Sequence, residues 1–176
     1  MKKISVFIVL VVFMSCNNKP SLQKFMVENT DKKDFIALDF SSDVLNIPKN
    51  KLTKDENEAL KSLKKINVLG FKKNQTNDKE YEINKNKLFE MMKDTTTYQE
   101  IMKVGNLKQS AAIYVLENKK GIEEIVIIGN RIDVGFGIIR ILGENMKEDH
   151  AITMVGLMNK VTINPEQLKP FKEFLK

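Results

Sequence analysis

The chain has 176 residues, one cysteine, one histidine, no tryptophan and a formal net charge of +6. That length suffices for one domain with a real core, since chains near 150 residues bury roughly 70% of their unfolded surface. A lone cysteine excludes an intrachain disulfide, a lone histidine disfavours zinc chemistry, and a mild charge mixed along the chain argues against a nucleic-acid partner.

The first residues read as an export address. Lys2 and Lys3 precede an apolar run from Ile4 to Met14, broken only by Ser5, and a small residue, Ser15, stands before Cys16. A positive start, a short apolar stretch and a small residue at the cut make a secretory signal, predicted here over 1–15. At ~1.5 Å per residue the run makes about 17 Å of helix, well short of the ~30 Å hydrocarbon core, so it is not read as a spanning helix. Phe13-Met14-Ser15-Cys16 has the form of a lipobox. The expected product starts at Cys16, with cleavage between Ser15 and Cys16 and lipid on the cysteine. One acyl chain binds membranes only marginally, so stable anchoring needs more than one. Asn17 in place of an aspartate points to the outer membrane, and the absence of an acidic cluster in Asn17-Asn18-Lys19 favours its periplasmic side. Without Lys2 and Lys3 the chain keeps 27 basic and 23 acidic residues, a net charge of +4. Only Arg131 and Arg140 are arginines, so the positive charge is nearly all lysine and reads as a solvated surface.

Residues 16–20 form a short tether, and 21–176 are expected to form one domain. Ser21 caps a helix through about Asn29 that buries Leu22, Phe25 and Met26. Phe35 to Phe40 follows as a strand. Thr53-Lys54-Asp55-Glu56 has the spacing of a capping box, opening a helix that buries Ala59, Leu60 and Leu63. Ile66 to Lys72 is a second strand, and Asp78 to Lys93 a longer helix with Tyr81, Leu88 and Met92 on one stripe. Thr97-Tyr98-Gln99-Glu100 has capping-box spacing too, and predicts a short helix carrying Ile101 and Met102 to Gly105. Three β-rich runs come next: Ala111 to Leu116, Ile122 to Ile128 and Val134 to Leu142, separated by hairpin turns at 118–121 and 129–133. Helices over 147–159 and 164–176 close the chain. The order predicts an α+β fold: a mixed sheet of about five strands, the first two parallel and the last three an antiparallel meander, with helices mainly on one face.

Several of these segments resemble one family. Ser21-Leu22-Gln23-Lys24-Phe25, Phe35-Ile36-Ala37-Leu38-Asp39 and Lys65-Ile66-Asn67-Val68-Leu69-Gly70-Phe71-Lys72 are similar to stretches of the domain of unknown function 4252 family of Gram-negative lipoproteins. Tyr98-Gln99-Glu100 and Gly137-Ile138-Ile139-Arg140-Ile141-Leu142-Gly143 extend the resemblance over most of the chain. It implies a secreted, lipid-anchored single domain with no assigned activity or catalytic residue.

Candidate chemistry is sparse. With Cys16 committed to lipid and no Gly-x-Ser-x-Gly elbow, a nucleophilic site would have to use His150, which reads as an exposed side chain in a polar first turn after Glu148 and Asp149. Glu123 and Glu124 are neighbours in a strand and point to opposite faces. Asp39 lies within an apolar strand, where a buried carboxylate needs a partner. Gly129, Gly135, Gly137 and Gly143 read as turns and a bulge rather than a phosphate loop, because no helix N-terminus follows them. Arg140 shares a strand face with Val134, Phe136, Ile138 and Leu142. It either reaches the sheet edge, pairs with an acid such as Asp39, or forms an anion or partner site. The last helix carries Leu168, Phe171, Phe174 and Leu175 beside Lys169, Lys172 and Lys176, a basic amphipathic pattern that docks on its own domain, lies on lipid or holds a partner. Met91, Met92, Met154 and Met158 fill core or line an adaptable groove.

No catalytic set, metal site or cofactor is expected. The leading expectation is a non-enzymatic binding or regulatory lipoprotein of the envelope, joined to the membrane by its lipid and able to meet an envelope protein. Two alternatives stand beside it: a periplasmic carrier or sensor of a small hydrophobic ligand, and a hydrolase built from carboxylates alone.

Overall fold

The computed structural model describes residues 20–42 and 52–157. In chain order these form α1 (Leu22–Asn29), β1 (Phe35–Ser41), α2 (Lys54–Ser62), β2 (Leu63–Lys72), α3 (Asp78–Met92), β3 (Gln99–Gly105), β4 (Gln109–Asn118), β5 (Gly121–Arg131), β6 (Gly135–Met146) and α4 (Glu148–Leu157). The predicted helix over 164–176, like Ser15 and Cys16, lies outside the described residues.

Local signals set most boundaries. The Ser21 hydroxyl accepts from the Lys24 amide at 3.3 Å, and the Thr53–Glu56 box closes in both directions, at 3.2 and 2.8 Å. Those bonds satisfy amides that a helix start leaves unpaired. The Ile- and Val-rich runs of β4, β5 and β6 form long strands, as pleated, half-buried surfaces favour.

The sheet has six strands in the order β1-β2-β6-β5-β4-β3, and each neighbouring pair is antiparallel. The fold is therefore α+β with a strand meander, as expected, but the sheet is not mixed. β1 and β2 run in opposite directions, with Phe35 opposite Phe71 and Ser41 opposite Lys65. α2 leads straight into β2, with Leu63 both its C-cap and the first residue of the strand.

The second difference is β3, expected as a helix. Thr97 caps nothing; instead Asp94 accepts from the Thr96 amide at 3.1 Å and closes a turn that delivers Tyr98 into the core. Asn106 then accepts from the amides of Lys108 and Gln109, at 2.9 and 3.2 Å, folding β3 back on β4. Seven residues make a weak helix but a full edge strand.

Third, helices cover both faces. α1 and α3 bury Leu22, Phe25, Tyr81 and Leu88 against Leu69, Val126, Phe136 and Ile138. α2 and α4 bury Ala59, Met154 and Leu157 against the opposite face, on Ile113, Val115, Ile125 and Ile141. Strand alternation in β5 and β6 supplies apolar side chains to both sides, so each face demands its own cover.

Candidate functional site

Two features stand out, one on each face. Beneath α1, strand register places Asp39, Asn67 and Arg140 in one row across β1, β2 and β6. Asp39 and Arg140 do not pair, because β2 stands between their strands and holds them about 10 Å apart. Asp39 sits at the exposed end of the row, bonded to Asn67 and 3.0 Å from Lys65. Burial alone would raise its carboxyl, but the bonds from Lys65 and Asn67 and the lysine charge outweigh this and hold it below the usual range.

Arg140 pairs with Glu124 of β5. Its Nη2 donates to Oε2 at 2.7 Å, and the two side chains are 13% and 5% exposed. The Tyr98 hydroxyl donates to the other carboxylate oxygen at 3.0 Å. Burial, then the charge and hydrogen bonding of Glu124, drive that hydroxyl above its ordinary value. For Arg140, burial opposes protonation, but the bond to Glu124 and its charge outweigh this and raise the guanidinium. Arg140 Nε is buried with no partner among the described residues. The cleft there, about 370 Å³ between α1 and the sheet, is lined by Lys65, Arg140 and Asp39, and each of these cations faces a carboxylate. Glu124 was legible as a strand residue, but its inward face follows only from sharing the parity of Val126 and Ile128.

His150 is buried rather than exposed: it is 6% accessible, and its Nδ1 accepts from the Lys147 amide at 3.2 Å. The ring folds back as a cap for the first turn of α4. Among the described residues no three His, Cys, Asp or Glu side chains are grouped to hold a metal ion. Met91, Met92 and Met154 are core residues, and Met158 lies outside the described residues.

The opposite face carries an apolar trough. One row across all six strands reads Leu38, Val68, Ile139, Ile127, Ile113 and Met102, each directly opposite the next. The next row reads Ile36, Gly70, Gly137, Gly129, Ala111 and Val104. Side chains paired across an antiparallel sheet share a face, so a ridge of bulky residues borders a floor of glycine and alanine. A Cβ added at Gly129 or Gly137 would meet no atom within 4 Å. These two glycines are therefore neither turns nor a bulge. Gly135 is the hairpin residue, at φ +129°, and a Cβ there would lie 1.9 Å from the Phe71 carbonyl oxygen.

The concavity measures about 600 Å³ and is overwhelmingly apolar, with Lys72, Gln109 and Arg131 along its far edge. α2 and α4 cover only the half of this face nearest Ile125 and Ile141. The open half runs to two hairpin tips, joined by the Ile132 amide donating to the Lys108 carbonyl at 3.0 Å. Leu107 is 98% exposed there, and Ile132 and Val134 about 40%. Met102 and Val104, on the edge strand β3, are exposed as well. The trough is not legible in any one segment of the sequence. Its only sequence signal is that Gly70, Gly129 and Gly137 share strand parity with Val68, Ile127 and Ile139.

No described helix is long and apolar enough to cross a membrane. Residues 23–154 match the family model described as Domain of unknown function (DUF4252), and the chain belongs to that family. No curated protein and no solved structure matches it.

Proposed function

We propose that this DUF4252 member is a lipid-anchored, non-enzymatic binding or regulatory module of the cell envelope, held through Cys16 at the periplasmic face of the outer membrane. The anchor rests on Lys2, Lys3, the apolar stretch from Ile4 to Met14 and the Ser15-Cys16 junction. The binding role rests on one observation: among the described residues a large apolar trough is left uncovered by the helices, while Arg140 and Glu124 are engaged with each other. Contiguous apolar surface of this kind on a protein in water marks an interaction site. Mass spectrometry of the protein from fractionated membranes, beside a Cys16→Ser form, tests the address. An acylated N-terminal Cys16 in the outer-membrane fraction is the expected result; unmodified Cys16 in soluble protein overturns the tether.

The trough also favours a second reading, a carrier or sensor of a small hydrophobic ligand, because about 600 Å³ falls in the size range of small-molecule pockets. Organic extraction of protein purified without detergent separates the two. A stoichiometric apolar molecule in the extract favours the carrier, and its absence favours a protein-binding module.

A further inference from the structure

We propose that the outer edge of β3 pairs antiparallel with β3 of a second copy of this chain, joining two six-stranded sheets into one about a two-fold axis. The inference goes beyond the proposed binding role and depends neither on lipid at Cys16 nor on a ligand in the trough. β3 ends the described sheet, and all seven of its residues are exposed. Its outer side carries backbone amides and carbonyls that no described strand takes up, and such an edge is a template for another strand. No proline interrupts it, and it presents Ile101, Met102 and Val104 at 39%, 45% and 57% exposure. β1, at the other edge, is instead partly buried over 35–38.

The register of β3 names the partner. Gln99 lies opposite Val115 and Glu100 opposite Tyr114, whereas Met102 lies opposite Ile113 and Lys103 opposite Ala112. Ile101 is therefore the extra residue of a bulge, and Ile101 and Met102 together take one place on the ladder. In a regular strand, residues three apart point to opposite faces. Here the bulge brings Glu100 and Lys103 to one face, that of Tyr114 and Ala112, one place either side of Ile101-Met102. Among the described residues neither of them is in an ion pair. A two-fold axis through the bulged place sets Glu100 of each copy directly opposite Lys103 of the other. It also sets Gln99 opposite Val104, and these two share the trough face through Val115 and Ala111. Moving the axis one place along β3 sets Glu100 against Glu100 or Lys103 against Lys103, and like charges directly opposite are destabilising. The edge thus complements itself about the bulge, as an isologous interface requires. On the trough face, the bulky row that ends at Ile113 and Met102 meets the same row of the second copy.

Disulfide trapping tests this in membranes of cells that make two differently tagged full-length copies. One copy carries Gln99→Cys and the other Val104→Cys, and the unaltered chain, whose single cysteine is Cys16, is the blank. Opposed residues stand about 5 Å apart, within the ~7 Å Cα limit of a disulfide, so the expected product is a covalent pair bearing both tags. Gln99→Cys in both copies sets the thiols four ladder places apart, about 14 Å along the strand, and gives no adduct above the blank. Val104→Cys with Val27→Cys, on the exposed side of α1, gives none either. Lys103→Glu in both copies lowers the Gln99–Val104 adduct at least about five-fold, because two attractive pairs become repulsive. Adding Glu100→Lys to both copies restores most of it, which a loss of folding would not allow. An absent adduct, an equal yield from either control pair, a yield unmoved by Lys103→Glu, or a charge swap that fails to restore it overturns the proposal.

Discussion

The pairing of Arg140 with Glu124 yields the sharpest prediction, because it decides whether these charges hold the fold or serve a ligand. The two side chains are 13% and 5% exposed and meet at 2.7 Å. Arg140→Met leaves a buried carboxylate with only the Tyr98 hydroxyl for support, and Glu124→Leu leaves a buried guanidinium. Removing one member of a buried pair costs about 3–5 kcal/mol, much of it the desolvation of the survivor. At roughly 3–4 °C per kcal/mol for a domain of this size, Tm falls by about 10–20 °C. The double variant removes both desolvation penalties and replaces them with apolar contact. Its residual cost is the Tyr98 hydroxyl left without an acceptor, about 1–3 kcal/mol. The double variant should therefore be more stable than either single one, with a coupling energy of at least about 3 kcal/mol. Urea unfolding of the four proteins in a Cys16→Ser background reads this directly. Additive losses below about 1 kcal/mol each would mean that water screens the pair, refuting the structural reading and returning Arg140 to the list of ligand-binding candidates.

Three further outcomes follow from local geometry. Gly135→Ala should cost at least about 1–3 kcal/mol, since φ +129° and the Phe71 carbonyl both oppose a Cβ; Gly137→Ala should instead be neutral or gain about 0.5–1 kcal/mol, and equal effects in thermal melts would contradict the register. Thr53→Ala removes the hydroxyl half of the α2 capping box, leaving the residue-53 amide on Glu56, and should cost about 1 kcal/mol of unfolding free energy in denaturant, whereas Thr97→Ala, which caps no helix, should show no cap loss. Tyr98 and Tyr114 have hydroxyls raised above the ordinary value, Tyr114 to about 12, chiefly by burial and then by Glu124 and Glu100 respectively. Their contribution is thus fully present below about pH 10 and lost as pH rises through the folded values. Unfolding free energy should fall above pH 10, and less steeply in a Tyr98→Phe, Tyr114→Phe protein; identical slopes would refute the assignment.

What the sequence reveals of this fold is what depends on short range. The Ser21 and Thr53 caps, the stripe of Tyr81, Leu88 and Met92, and the β-rich runs of the meander all act within one or two turns of chain, and each stands where expected. Thr97-x-x-Glu100 carries the same local pattern as Thr53-x-x-Glu56, yet Gln99–Gly105 pairs with β4. There the Asp94 turn and the Asn106 hairpin override a cap signal, and neither outweighs it by composition alone. Strand direction was hidden for a similar reason, because it depends on where the chain re-enters the sheet at Leu63 and not on any local pattern. Asp39 and Arg140 were correctly marked as polar residues in apolar strands, but their partners depend on strand order. β6 inserts between β2 and β5, placing Arg140 beside Glu124 and a full strand away from Asp39. The trough depends on register across six strands at once, so no window of sequence contains it.

That same register argues for where binding belongs in this molecule. On the α1 and α3 side, aromatic packing of Phe35, Phe71, Tyr81 and Phe136 closes the surface, with ring centroids 5.0–6.4 Å apart. The charges on that side are held in place by one another. On the α2 and α4 side the equivalent positions are Ile36, Gly70, Gly137 and Gly129, and a Cβ added at Gly129 or Gly137 would meet no described atom within 4 Å. A glycine in mid-strand sacrifices β-propensity and packing, and three in one cross-strand row forfeit it together. Among the described residues the sheet therefore has one face finished by its helices and one whose glycine row stays open, and the proposed binding role is to be tested at that row.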